Sequence, residues 1–235
     1  MSIRSEITAV QHQLCSVTLL GNLVKKPSIR YMANPVLAIT ELTLATNSRW
    51  LDKKTNKYKE WTSYHHIKVV GNLVDQHLLH VDKGDIILVH GQLINITNTS
   101  GTTSNSAQQT MPTEMVNATF IKSYAKGYSQ SINKIHSSGT IVSPIQLMKT
   151  EYNKDFIEVK LSINYHEYSP IQDKIIAHNI ERMVHVWGKQ AVVLSEQAKI
   201  GDELVVDGKL SYLKGSNPVQ FIEAKNIYWF EATGR

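Results

Sequence analysis

The feature that most constrains this chain is an internal repeat. Gly71 and Gly188 each end an apolar, alternating run, and they lie 117 residues apart. The same spacing relates residues 42–47 to 159–164 and residues 89–93 to 206–210. Because the register is kept over about 80 residues and changes only in turns, we predict two copies of one folding unit.

Within each copy, apolar and polar residues alternate with a period of two, which is typical of strands with one buried face. In the first copy this pattern predicts five strands, at residues 17–23, 39–47, 63–70, 85–94 and 115–122. Apolar residues at helical spacing then predict helices at residues 73–81 and 191–199, stopped by Gly84 and Gly201. Five strands with a helix between the third and fourth is the OB-fold order. We therefore predict an all-β chain with two tandem five-stranded OB-fold barrels, as domains at residues 10–125 and 130–235.

Charge and cysteine content restrict the partner and the compartment. The net charge is +5, and residues 1–125 carry 12 basic and 8 acidic side chains, so the first copy is the more electropositive one. Mild basicity suits a polyanionic partner. The single cysteine, Cys15, excludes an intrachain disulfide and is predicted to be a small buried residue.

Targeting and catalytic motifs are missing from the sequence. It has no apolar signal at its start and no apolar stretch of about 20 residues, so we expect a cytoplasmic protein with no membrane partner. It also has no glycine-rich phosphate loop, nucleophile elbow or acidic two-metal cluster. We therefore expect no enzyme activity, no cofactor and no metal. The polar run at residues 98–106 is predicted to be a long loop between two strands.

Residues 49–61 are the strongest local signal, since five basic and three aromatic residues are interleaved there with only two acids. Aromatic rings can stack on any base while cations follow the phosphates, so the pattern is typical of single-strand binding. The alternative is a solvated hairpin tip whose tryptophans support the loop against the barrel.

A family resemblance favours the first interpretation. Residues 17–31, which read VTLLGNLVKKPSIRY, resemble the bacterial single-stranded DNA-binding protein family, and residues 42–46, 50–53, 69–73 and 91–93 continue the resemblance in order. It covers residues 15–122 closely and the second copy more loosely. The resemblance implies OB-folds that bind single strands on aromatic platforms inside a basic groove.

The resemblance also implies which residues contact DNA. Trp50 aligns with a stacking tryptophan of the family and Tyr64 replaces another, whereas Val70 stands where a phenylalanine is usual. On its strand, Tyr64 shares one face with His66 and Lys68. The candidate DNA-binding residues are Lys25, Lys26, Arg30, Arg49, Trp50, Lys53, Lys54, Lys57, Tyr58, Lys59, Trp61, Tyr64, His66 and Lys68, with His185 and Trp187 in the second copy.

The second copy is predicted to bind DNA more weakly or to serve oligomerisation, because Glu181 replaces Tyr64 and its hairpin is nearly neutral. The expected function is coating and protecting single-stranded DNA, with little sequence preference, in replication, repair, recombination or mobile-element transfer. Family members commonly assemble four OB-folds, so two per chain suggest a homodimer, with a contact through exposed barrel surface around His65 or through the second copy. Family members recruit replication and repair enzymes through an acidic C-terminal tip, which this sequence lacks. Replication or recombination proteins are therefore possible partners, but recruitment by that route is in doubt. The alternative function is a primosome-like assembly module whose main ligand is another protein.

Overall fold

The structure, a computed structural model, describes residues 13–52, 55–96, 113–127, 130–213 and 219–232. It confirms the all-β prediction and the repeated order of elements. The first copy contains β1 (Cys15–Leu23), β2 (Arg30–Ala33), β3 (Val36–Asp52), β4 (Lys57–Val70), α1 (Asn72–His77), β5 (Ile86–Ile96) and β6 (Thr113–Tyr124). The second contains β7 (Ile132–Ile141), β8 (Leu147–Lys149), β9 (Asp155–Ser169), β10 (Lys174–Trp187), α2 (Lys189–Gln197), β11 (Glu203–Tyr212) and β12 (Gln220–Phe230).

The same pairings close both barrels. In the first copy β1 pairs with β3 and β5, β3 pairs with β4, and β5 pairs with β6. A short parallel contact between β4 and β6 completes the ring. In the second copy β7, β9, β10, β12 and β11 repeat these pairings, again with one parallel contact. This is the strand order of the OB-fold.

The structure differs from the sequence prediction in its helices, its short strands and its strand ends. The first helix ends at His77 rather than at residue 81, and α2 is Lys189–Gln197 rather than 191–199. The short strands β2 and β8 pair with β3 and β9 at the two edges of the sheet, so each copy has a sixth strand. They are too brief for a period of two to show. In addition, β3 and β4 run beyond their predicted limits, to Asp52 and from Lys57, as a two-stranded extension. Alternation fails there because most of its side chains are exposed on both faces.

The apolar residues of the two barrels form one continuous buried cluster. Cys15 belongs to it and is buried, as predicted. The polar run at residues 98–106 lies outside the described residues. Among those described, no helix is long and apolar enough to cross a membrane, and no three His, Cys, Asp or Glu side chains are grouped to hold a metal ion. The two domain boundaries remain a prediction.

Strand β1 also pairs with β7, antiparallel, and so joins the barrels into one twelve-stranded sheet. Val17 lies opposite Ile135 at the centre of this pairing. These two residues are equivalent in the repeat, as are Gly21 and Gly139, so an approximate twofold axis relates the copies. The chain therefore contains, within itself, the kind of isologous contact that a symmetric dimer makes between subunits.

A polar cluster lies between the barrels, around the buried Arg182 of β10. Its Nη1 donates to Asn95 Oδ1 at 2.7 Å and its Nη2 donates to the carbonyl oxygen of Ile94 at 3.0 Å, both in the first copy. Glu114 Oε1 lies 3.5 Å from Nη1, and Arg182 Nε donates to Gln220 at 3.2 Å. The barrels are thus joined by charged hydrogen bonds as well as by β-pairing.

His65 is the counterpart of Arg182 in the first copy. The sequence left the surface around His65 as a possible dimer contact, and this is wrong because the side chain is buried between the two barrels. Its ring is within hydrogen-bond distance of the Thr46 hydroxyl, at 2.8 Å, and of the Tyr212 hydroxyl, at 3.1 Å. Burial, and to a smaller extent the charge of the neighbouring His66, lowers the pKa of His65 to about 3.

Candidate nucleic-acid interface

Most of the sequence-predicted site lies on the extension of β3 and β4, which we call the first arm (residues 48–52 and 57–62). Trp50 is opposite Lys59 in its ladder, and Arg49 is opposite Glu60. Since successive strand residues point to opposite faces, the arm sorts the candidates into two sets. The sequence prediction treated them as one surface.

One face of the arm carries Trp50, Lys57, Lys59 and Trp61. Trp50 and Trp61 are each 46% exposed, so both residues present surface to solvent. Lys59 Nζ lies 2.6 Å from the carboxylate of Asp52, which orders that lysine. Lys57 forms no ion pair within the described part of the chain. This face therefore combines two accessible aromatic rings with positive charge.

The other face carries Arg49 and Tyr58 and continues along β4 as Tyr64, His66 and Lys68. The Arg49 guanidinium lies 4.2 Å from the centroid of the Tyr58 ring, a cation–π contact that holds both side chains. Tyr58 and Tyr64 are exposed. The prediction that Tyr64, His66 and Lys68 share one face agrees with this geometry.

Arg30 extends this second face across the sheet. It is opposite Ile39, which in turn is opposite Val70, so the three residues form a row over β2, β3 and β4. Lys25 and Lys26 lie instead in the turn after β1, where Lys26 Nζ forms an exposed ion pair with Asp82 at 3.1 Å. Lys53 and Lys54 lie outside the described residues.

The two candidates in the second copy are already packed against aromatic neighbours. His185 is buried, its ring stacks on Phe221 with the centroids 4.0 Å apart, and burial lowers its pKa. Trp187 stacks on Phe156 at 5.0 Å but is 41% exposed. His185 would therefore have to leave its packing to reach DNA, whereas Trp187 could offer one edge without moving.

The sequence prediction missed the contact between the second arm, at the ends of β9 and β10, and the first barrel. Glu167 of β9 accepts a hydrogen bond from Asn117 of β6 at 2.5 Å. In the repeat Glu167 is equivalent to Trp50, so an acidic residue stands in the second copy where the first copy has an aromatic one. Nothing in the sequence shows that the second arm lies on the first barrel, because that placement follows from the β1–β7 pairing.

Comparison with solved structures gives the fold of the whole chain. The wild-type single-stranded DNA binding protein from Thermus aquaticus matches with a TM-score of 0.73 and 22% identity, over 96% of this chain and 96% of that chain. A deletion mutant of that protein matches with the same TM-score and identity, over 95% of this chain and 97% of that one. At this identity the likeness concerns the fold alone, and it extends over both barrels.

Comparison with protein families is more specific for the first barrel. Residues 14–120 match the single-strand binding protein family. The matched range contains β1 to β5, the first arm and most of β6. The first barrel of this chain is therefore similar to the single-strand binding protein family.

Proposed function

We propose that this chain binds single-stranded DNA with little sequence preference, through the first arm and the outer face of the first barrel. The observation that carries the proposal is the exposure of Trp50 and Trp61 on one face of the arm and of Tyr58 and Tyr64 on the other. A strand that crosses the arm would meet an aromatic ring on both sides. Such stacking tolerates any base.

Phosphate contacts would come from cations beside these rings. Lys57 and Lys59 flank the tryptophans on one face, and His66, Lys68 and Arg30 follow Tyr64 on the other. The backbone of the strand would then run along β4 while its bases turn toward the aromatic side chains. These contacts read charge and shape rather than base identity.

The second barrel would contribute less to this binding. Its counterparts of the basic face are held in internal contacts, since Glu181 pairs with Lys160 at 3.2 Å and His185 is 3.2 Å from Glu158. We infer that it serves mainly to complete the fold and to form contacts with a second chain. Coating and protecting DNA in replication, repair, recombination or transfer is the role that these properties suit.

Replacing Trp50 tests the proposal most directly. Trp50→Ala should weaken binding of oligo(dT) by about 1 to 3 kcal/mol, as expected for one lost stacking contact. Binding would be measured by the quenching of tryptophan fluorescence, and in parallel with a labelled strand. Tyr152→Ala, which removes an exposed aromatic side chain from the turn between β8 and β9 of the second copy, is the matched control. Wild-type protein that binds neither oligo(dT) nor any other single strand would overturn the proposal, and would favour a protein-binding assembly module.

The salt dependence of binding should separate the free cations from the paired ones. Lys57→Gln should reduce the slope of log Kobs against log salt by about 0.7, because one phosphate contact on a single strand is lost. Lys26→Gln should change the slope less, since Lys26 already faces Asp82. The slopes come from titrations at several salt concentrations. Equal changes in the two variants would argue against a phosphate path along the arm.

A homodimer with four OB-folds is part of the proposal. Its support is the pair of exposed aromatic side chains Tyr228 and Phe230 on β12, since exposed apolar patches commonly mark contact surfaces. Light scattering should give a mass of about twice 26.5 kDa at micromolar concentration. Tyr228→Lys should shift that mass toward the monomer, while Tyr152→Lys, at an exposed turn, should leave it unchanged. A monomeric wild type would refute the four-barrel assembly.

A further inference from the structure

A cleft of about 890 Å³ opens between the outer wall of the first barrel and the second arm. Aliphatic side chains from both copies line it, among them Val70, Ile94, Ile96, Ile171 and Ile176. Its polar lining includes Lys68 and Asn117 from the first barrel and Glu167 and His178 from the second arm. Concave surfaces that combine apolar side chains with convergent polar groups are typical of small-ligand binding sites.

The carboxylate of Glu167 is the central polar group of the cleft, and its side chain is only 11% exposed. Its Oε1 accepts from Asn117 Nδ2 at 2.5 Å, and its Oε2 lies 3.4 Å from Nε2 of His178. The His178 ring is held in place by stacking on the buried Tyr165, with the centroids 4.9 Å apart. Each carboxylate oxygen has two acceptor positions, so Glu167, with one contact at each oxygen, retains capacity for at least one further donor.

The cleft adjoins the proposed path of the DNA. Lys68 and Val70 line it, and both lie on the same face of β4 as Tyr64 and His66. A strand that follows this face would therefore pass the mouth of the cleft with a phosphate near Lys68. The base of that nucleotide would point toward Glu167.

We infer that the cleft accepts one base of the bound strand, and that Glu167 accepts a hydrogen bond from its exocyclic amino group. This inference rests on the proposed function and adds one position of modest preference to it. Cytosine and adenine carry such a donor, whereas thymine presents a carbonyl oxygen that a carboxylate repels. Binding at this position should thus favour cytosine or adenine over thymine.

Two oligonucleotides that differ only along one edge of the base test this. Oligo(5-methyl-dC) and oligo(dT) share the methyl group. They differ at position 4, where one has an amino group and the other an oxygen, and at N3, which carries a hydrogen only in thymine. For the wild type we expect a higher affinity for oligo(5-methyl-dC) than for oligo(dT). The ratio of the two affinities should be at least about five-fold larger for the wild type than for Glu167→Gln. This factor is the lower end of the range for a base-reading contact. Glutamine keeps the shape and still accepts from Asn117, so the variant should fold.

Glu181→Gln is the matched control, because it removes the same charge from the exposed face of β10, outside the cleft. It should raise affinity for both strands equally and leave their ratio at the wild-type value. If Glu167→Gln has the same ratio as the wild type while oligo(dT) binding persists, the inference is wrong and the proposed function stands. If the folded wild type binds neither strand, both are wrong.

Discussion

Arg182→Met should lower the free energy of unfolding by about 3 to 5 kcal/mol, the range expected when one partner is removed from a buried ion pair. The methionine fills similar space but donates no hydrogen bonds. Asn95 and the carbonyl oxygen of Ile94 would then lose this donor between the barrels, and Glu114 would lose its ion pair while keeping the hydrogen bond from the backbone N–H of Gln220. Chemical denaturation of the full chain measures the change.

Arg30→Met is the control for this experiment, since Arg30 is an exposed residue on the edge strand β2. It should change the stability by no more than about 0.5 kcal/mol. The double variant Arg182→Met/Glu114→Gln should be less destabilised than the sum of the single ones, because the two side chains share one interaction. A loss below 1 kcal/mol for Arg182→Met would show that the cluster does not hold the barrels together.

His65 should make the stability of the chain sensitive to acid. Its pKa is about 3 in the folded protein against 6.5 for an unperturbed histidine, so the unfolded chain binds the proton first as the pH falls. The contribution to stability is complete above pH 6.5 and is lost progressively between pH 6.5 and pH 3. Down to pH 4 this amounts to about 3 kcal/mol, at about 1.4 kcal/mol per pH unit.

The measurement compares denaturation of the wild type and of His65→Gln between pH 7.5 and pH 4. Glutamine can bond to Thr46 and Tyr212 but does not titrate, so its stability should fall less steeply over this range. His178 and His185, whose pKa values are also lowered by burial, titrate in both proteins and cancel in the difference. Parallel pH profiles of the two proteins would mean that His65 has the same pKa in the folded and unfolded chains, and would refute the prediction.

The repeat carried most of the fold prediction. Gly91 and Gly208 occupy equivalent positions in the sequence, and in the structure each lies at a bulge in the ladder to the last strand of its barrel. An added Cβ at Gly91 would overlap the carbonyl oxygen of Asn117, and one at Gly208 would overlap that of Glu223. The shared glycine therefore reflects a close backbone approach, a reason that the sequence pattern alone does not state.

Contacts between the barrels were beyond sequence reasoning. Arg182 occupies a strand position whose neighbours on the same face, Ile180 and Val184, are buried. A cation there signals a special environment, but its partners in β5 and β6 are 68 or more residues away. The cleft around Glu167 could not be predicted for the same reason, because residues far apart in the sequence line it. A prediction that extended β3 past Asn47 would have placed Trp50 on the face opposite to that of Ala45. Ala45 pairs with Tyr64 of β4, so Trp50 and Tyr64 lie on opposite faces.

The continuous pairing of β1 with β7 has a consequence for how the barrels behave on dilution. Two barrels on separate chains would dissociate as their concentration fell below the dissociation constant, whereas a covalent link keeps the effective concentration of the second barrel fixed. The pair thus persists when the protein is scarce. A substitution also enters only one of the two positions, so one copy can hold Trp50 while the other holds Glu167. Identical subunits cannot divide their surfaces in this way.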